Sequence, residues 1–156
     1  MSLEKYMYIK TLIIINLLIF INFVHANEEL VSYDIVDLSI PSSLTNEDGD
    51  IKNGRDIVLS RRGNCLACHK IPSGNDIFQG NIGPSLAGVG NRYTISELRL
   101  RLVNPYVLNP DSVMPAFYNV RGLKRVDKKF REKPILTAQE IEDVISWLFT
   151  LKTEEM

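Results

Sequence analysis

The 156-residue chain is short of several things, and each shortage excludes a class of protein. It has two Cys, too few for a disulfide-stapled scaffold. Its formal net charge of −1 excludes binding nucleic acid through bulk charge. It has no 18-residue uncharged apolar run of the kind that spans a bilayer; the longest is Leu12 to Val24, broken by Asn16 and Asn22. It has no internal repeat and no low-complexity tract. Between residues 27 and 50 it has no Lys or Arg at all. What remains is ordinary: 45 % hydrophobic and 24 % charged residues, a length that fits one domain, and a composition that argues against disorder or a fibre.

The first informative stretch is the amino terminus. Lys5 and Lys10 precede the apolar run, which ends in Val24-His25-Ala26, with small residues at the −3 and −1 positions of a cut after Ala26. A positive end, a short apolar core and a small-residue exit describe a secretory signal peptide over residues 1–26. The rival, a membrane anchor, needs roughly 20 apolar residues. Cleavage implies the periplasm of a bacterium, an oxidising compartment. It removes Lys5, Lys10, Glu4 and His25 and leaves 16 basic and 18 acidic residues, with Met114 and Met156 as the remaining Met.

Residues 27–48 form an acidic arm, expected to be extended; with Asp50 included the stretch to residue 50 holds seven acids. The alternation of Val31, Tyr33 and Ile35 is too brief for a strand. A domain over 49–156 follows. Gly49-Asp50 opens a helix expected to run to about Arg61, and Gly54 inside it, at a cost of about 1 kcal/mol relative to Ala, marks a close helix crossing. Residues 71–93 are glycine-rich and read as loop. A second helix is expected from about Ser96 to Asn104, with Ile95, Leu98 and Leu102 at i, i+3 and i+7. The last helix is the clearest: Thr137 and Glu140 form a T-x-x-E capping box. Ile141, Val144, Leu148 and Leu151 line one face with Trp147 beside them, while Glu142, Asp143 and Ser146 are expected to face away.

The chemistry lies in Cys65-Leu66-Ala67-Cys68-His69, the C-x-x-C-H attachment signature of a c-type haem. Thiols at i and i+3 share one side of a helical turn and can add to the two vinyl groups of one porphyrin. The His that follows can become the proximal iron ligand. A structural zinc site wants four ligands and finds too few here. A thioredoxin-like motif belongs near a βαβ pattern, which is absent. A Cys65–Cys68 disulfide would close only a tiny loop. The sixth ligand falls to Met114, the one internal Met of the mature chain, placed before Pro115 and so out of helical geometry; the alternative is a core filler. For Pro84 the spacing leaves two readings open: a turn proline, or a carbonyl that orients the proximal His. With His69 and Met114 on the iron, no open position is left for substrate, which points to electron transfer.

Together these residues resemble class I c-type cytochromes: C-x-x-C-H, then Gly83-Pro84-x-Leu86, then Met114-Pro115-Ala116-Phe117, then an amphipathic carboxy-terminal helix with an aromatic. The resemblance implies an all-α domain whose first helix packs on its last, with Gly54 and Trp147 at the crossing, and it gives Pro84 the carbonyl that takes the bond from the proximal His. A closer resemblance runs through Gly63-Asn64-Cys65, Asn81-Ile82-Gly83-Pro84-Ser85-Leu86-Ala87-Gly88-Val89-Gly90, Asn109-Pro110-Asp111-Ser112-Val113-Met114-Pro115-Ala116 and Lys133-Pro134-Ile135-Leu136-Thr137-Ala138-Gln139 to the SoxX family, the monohaem subunits of SoxAX sulfur-oxidation cytochromes. It implies one covalently bound haem c, a SoxA-type partner subunit, the carrier SoxYZ reached through the complex, a downstream cytochrome acceptor and no catalytic residue in this chain. Both Cys are consumed by attachment, so no thiolate is spare for sulfur chemistry. A free-standing soluble monohaem carrier is the alternative. The basic run Arg121, Lys124, Arg125, Lys128, Lys129, Arg131, Lys133 reads either as a solvated surface or as a docking face for an acidic partner or for the haem propionates.

Overall fold

The computed structural model describes residues 30–72, 78–123 and 126–152. The expected signal peptide, Lys124 and Arg125 lie outside the described residues. Among the described residues four α-helices make the fold: α1 (Ile51–Leu59), α2 (Val89–Arg92), α3 (Ile95–Val103) and α4 (Ala138–Thr150), joined through 3-10 turns at Cys65–Ala67, Pro105–Val107 and Lys128–Phe130. Among the described residues there is no strand, only the isolated bridge Val36–Ser39. The all-α class expected from the sequence is what the chain adopts.

Side-chain chemistry fixes the helix starts. The Asp50 carboxylate accepts from the N–H groups of Lys52 and Asn53 at the head of α1. Thr94 with Glu97, and Thr137 with Glu140, close full capping boxes on α3 and α4. α1 is shorter than expected because the chain turns at Ser60, whose N–H bonds to the Ile57 carbonyl.

α4 is the centre of the molecule. α1 crosses it so closely that a Cβ on Gly54 would lie 1.9 Å from the Asp143 carbonyl oxygen. Only a residue without a side chain fits, which explains a helix-weakening Gly in α1. Ile141, Val144, Ile145, Trp147 and Leu148 are buried on α4 and meet Ile57 and Val58 from α1 and Leu98, Leu102 and Val103 from α3 in one core.

The expectation that Glu142 and Asp143 face away from the core is wrong. Both are buried. Glu142 pairs with Arg99 of α3 through Nε at 2.7 Å and Nη2 at 2.9 Å, and its Oε1 also accepts from the Leu44 N–H at 2.9 Å. Asp143 accepts from the Asp50 N–H at 2.8 Å, from Asn53 Nδ2 at 2.6 Å and from Gln139 Nε2 at 2.9 Å. These carboxylates are turned inward because the head of α1 and the arm bring backbone donors that need partners away from water.

The acidic arm lies on this core rather than hanging from it. Ile40 is fully buried and Leu44 nearly so. The Ile40 N–H donates to the Ser96 carbonyl and the Ile40 carbonyl accepts from Arg99.

Candidate functional site

The C-x-x-C-H segment leaves α1 through a tight turn. The Gly63 N–H donates to the Ile57 carbonyl, Asn64 takes a left-handed conformation at φ 53°, and Cys65–Ala67 form a 3-10 turn. In such a turn residues i and i+3 eclipse, so Cys65 and Cys68 share one side. Both are free thiols and both are half-buried. Desolvation pushes the Cys65 thiol up to about 11; its own backbone N–H opposes the rise and Cys68 adds to it. At neutral pH this sulfur is a protonated thiol and a poor nucleophile.

The loop at residues 79–87 is stitched to this turn rung by rung. The Gly80 N–H donates to the Leu66 carbonyl, the Gly83 N–H to the Cys68 carbonyl and the Leu86 N–H to the Lys70 carbonyl, at 2.8, 2.8 and 2.9 Å. Between the last two rungs His69 Nδ1 meets the Pro84 carbonyl at 2.7 Å. A carbonyl only accepts, so Nδ1 carries a proton and donates it to this bond. Gly83 lies flat against the ring: a Cβ there would sit 2.4 Å from Cε1 and 2.6 Å from Nδ1. Arg92 then grips the same loop from α2, its guanidinium donating to the Ser85 carbonyl at 2.7 Å and to the Ala87 carbonyl. Of the two readings left open for Pro84, the carbonyl partner is the geometry found.

Met114 stands on a different loop, half-buried against the core. Ser112 Oγ accepts from its N–H at 3.2 Å. The chain beyond it is fastened to α3 by Phe117 N–H to the Leu102 carbonyl and Asn119 N–H to the Val103 carbonyl. The sequence therefore named His69, Pro84, Cys65, Cys68 and Met114, and the structure joins His69 directly to Pro84. It named Gly83 only as part of the Gly83-Pro84-x-Leu86 stretch, without the contact to the ring, and it did not name Arg92, eight residues from Pro84 and met only through the loop's fold.

This donor set suits a covalently tethered porphyrin better than a bare ion. It offers two free thiols on one side of a turn, an imidazole whose outer nitrogen is fixed as donor and oriented by a carbonyl, and a loop thioether. Among the described residues, no three His, Cys, Asp or Glu side chains gather as a metal cluster.

The family model for cytochrome c matches residues 51–152. The chain belongs to the cytochrome c family. It is accordingly a protein of covalently bound haem c, folded as a class I cytochrome. Among solved structures, the crystal structure of SoxXA from P. pantotrophus is similar at 38% identity and a TM-score of 0.73, over 81% of this chain and 99% of that one. The chain is thus a cytochrome c of the SoxX type. A curated protein from Aquifex aeolicus (strain VF5), described as an uncharacterized lipoprotein, is 37% identical over 90 residues. That match takes in 57% of this cytochrome and 37% of the relative, so the chain spans a little over a third of that protein's length. No helix among the described residues is long and apolar enough to cross a membrane.

Proposed function

We propose that the chain is the electron-transfer subunit of a SoxAX-type enzyme, an L-cysteine S-thiosulfotransferase. It takes up the electrons released when a SoxA-type partner joins thiosulfate oxidatively to a cysteine of the SoxYZ carrier, and it hands them to a downstream cytochrome. The observation that carries the reading is the likeness to SoxXA, which extends over 99% of the matched chain. One haem would be tethered through thioethers at Cys65 and Cys68, with His69 Nε2 and the Met114 sulfur holding its iron; bound there, it would supply a one-electron couple. The chain's own residues do the rest. The Pro84 carbonyl and the flat face of Gly83 hold the His69 ring in one tautomer and one plane. With both Cys used for attachment, the chain keeps no nucleophilic sulfur. The sulfur chemistry belongs to the partner.

The mature protein on this reading begins after Ala26 and works in the periplasm, with an arm over residues 27–48 ahead of the cytochrome domain. The test is reconstitution. The haem-loaded chain is expected to co-purify with a second haem chain and to be reduced by thiosulfate and SoxYZ only when that chain is present. Reduction at the same rate without it, by a chain that runs as a monomer, would mark a free-standing carrier instead.

A further inference from the structure

The arm is anchored at two places and strained between them. At the outer anchor the Val31 N–H donates to the Tyr118 phenol oxygen at 2.7 Å. Tyr33 is held beside the Asn104 side chain and Arg121; burial pushes its phenol up while those two groups oppose the rise. At the inner anchor Ile40 is fully buried and its carbonyl takes 2.7 Å from Arg99, itself locked to Glu142 in the core. Between the anchors the chain reverses in two residues. Val36 and Ser39 exchange both backbone hydrogen bonds at 2.9 Å, and Asp37 and Leu38 sit at φ 46° and 55°.

A turn with two left-handed central residues is normally Asn-Gly, because a side chain such as leucine's is strained there. Leu38 pays that strain and recovers nothing inside the chain, since it is 60% exposed. Val36 beside it is 50% and Ile35 41% exposed. Three apolar side chains thus project from a backbone held at both ends, a preorganised protrusion of the kind that fills a partner's pocket at little ordering cost. Its surroundings state the partner's charge: Asp34 and Asp37 are exposed at the tip, and no Lys or Arg occurs from residue 27 to 50.

We propose that the 35–38 tip is the docking knob by which this chain holds its protein partner, with Leu38 and Val36 seated in an apolar pocket edged by Lys and Arg. The proposal rests on the reading that a second haem-carrying chain is that partner, and it names the surface that chain would grip. The backbone strain and the exposure are explained together if the complex, not the isolated chain, is the state in which Leu38 is buried.

The experiment uses the haem-loaded chain and the second haem chain from the same organism. Leu38→Gly suits the left-handed position, so the thermal midpoint of the isolated chain is expected to stay or rise, while affinity for the partner in calorimetric titration falls tenfold or more. Val36→Ser, at an ordinary backbone position, is expected to weaken binding in the same sense. Asp34→Asn with Asp37→Asn is expected to flatten the dependence of the association rate on ionic strength. Wild-type affinity, within twofold, in both Leu38→Gly and Val36→Ser would overturn the docking knob while leaving the functional reading intact. No binding by the wild-type chain would overturn both. A dimer of the chain alone, seen by sedimentation and lost in Leu38→Gly, would give the tip to a second copy and overturn the assignment to a different protein.

Discussion

His69 is controlled by two neighbours: Pro84 offers a carbonyl at 2.7 Å and Gly83 offers the absence of a side chain. A methyl group at Gly83 would fall inside the van der Waals radius of the ring. Gly83→Ala is therefore expected to tilt His69 off the Pro84 carbonyl. The yield of haem-loaded protein, read as haem absorbance per mass of polypeptide, should drop severalfold, and the remainder should show a shifted potential. Met114→Ala tests the other side of the site. It is expected to abolish the thioether-to-iron absorption of the oxidised protein and to lower the reduction potential, because a thioether favours the reduced iron; an unaltered spectrum would move the sixth ligand elsewhere. Both ligand candidates were legible because each is nearly unique in the mature sequence. Gly83 was legible only as a member of the Gly83-Pro84-x-Leu86 stretch, and nothing in the sequence showed that the ring would lie against it.

Among the elements, the α1–α4 crossing and the α3–α4 ion pair carry the architecture. Gly54→Ala places a methyl against the Asp143 carbonyl and is expected to destabilise the fold by about 1–3 kcal/mol, the usual cost of overpacking, measured by denaturant titration. Arg99→Met leaves Glu142 charged and unpaired beneath the arm, and it is expected to cost about 3–5 kcal/mol. Adding Glu142→Leu should recover much of that loss, although the Leu44 N–H then stays without its acceptor. The cap of α4 sets an acid limit. Burial alone would raise Glu140, but Arg62 and the Thr137 N–H outweigh it and hold the carboxyl below its ordinary 4.5. A depressed folded value means that the cap's contribution is complete above pH 4.5 and is lost as pH falls through the lower, folded value. Glu140→Gln is expected to flatten stability against pH in that acidic window and to leave the neutral region's slope unchanged. The longer helices α1, α3 and α4 were readable from apolar spacing and, for α4, a capping box, whereas the short helix Val89–Arg92 falls in the 71–93 stretch read as loop, where glycines and a single turn of helix leave no periodicity to see. The inward turn of Glu142 and Asp143 was not, because helical periodicity sorts residues by polarity and cannot see that a neighbouring segment brings polar groups to be satisfied.

For the whole molecule, charge is segregated along the chain. The arm carries acids and no Lys or Arg, while Arg121, Lys128, Lys129, Arg131 and Lys133 are exposed and Phe130 stands among them with the Lys129 ammonium 4.8 Å from its ring. The two surfaces are suited to partners of opposite sign. If the basic surface meets the downstream acceptor, Lys129→Glu with Arg131→Glu is expected to slow electron delivery at low ionic strength and to converge on the wild-type rate at high salt, where charge steering is screened. Stopped-flow oxidation of the reduced chain measures this directly.

The resemblance to class I cytochromes implied the all-α class and the pairing of first helix with last, while spacing alone marked the attachment signature and the longer helices. Those properties are local or periodic: two sulfurs three residues apart, a cap four residues long, an apolar stripe. The buried Arg99–Glu142 pair, the docking of the arm, the inward Asp143 and the grip of Arg92 on the proximal loop were decided only in three dimensions. Each depends on hydrogen bonds or ion pairs between segments that only the fold brings together, and a polar side chain does not declare in one dimension whether its partner will be water or another part of the chain.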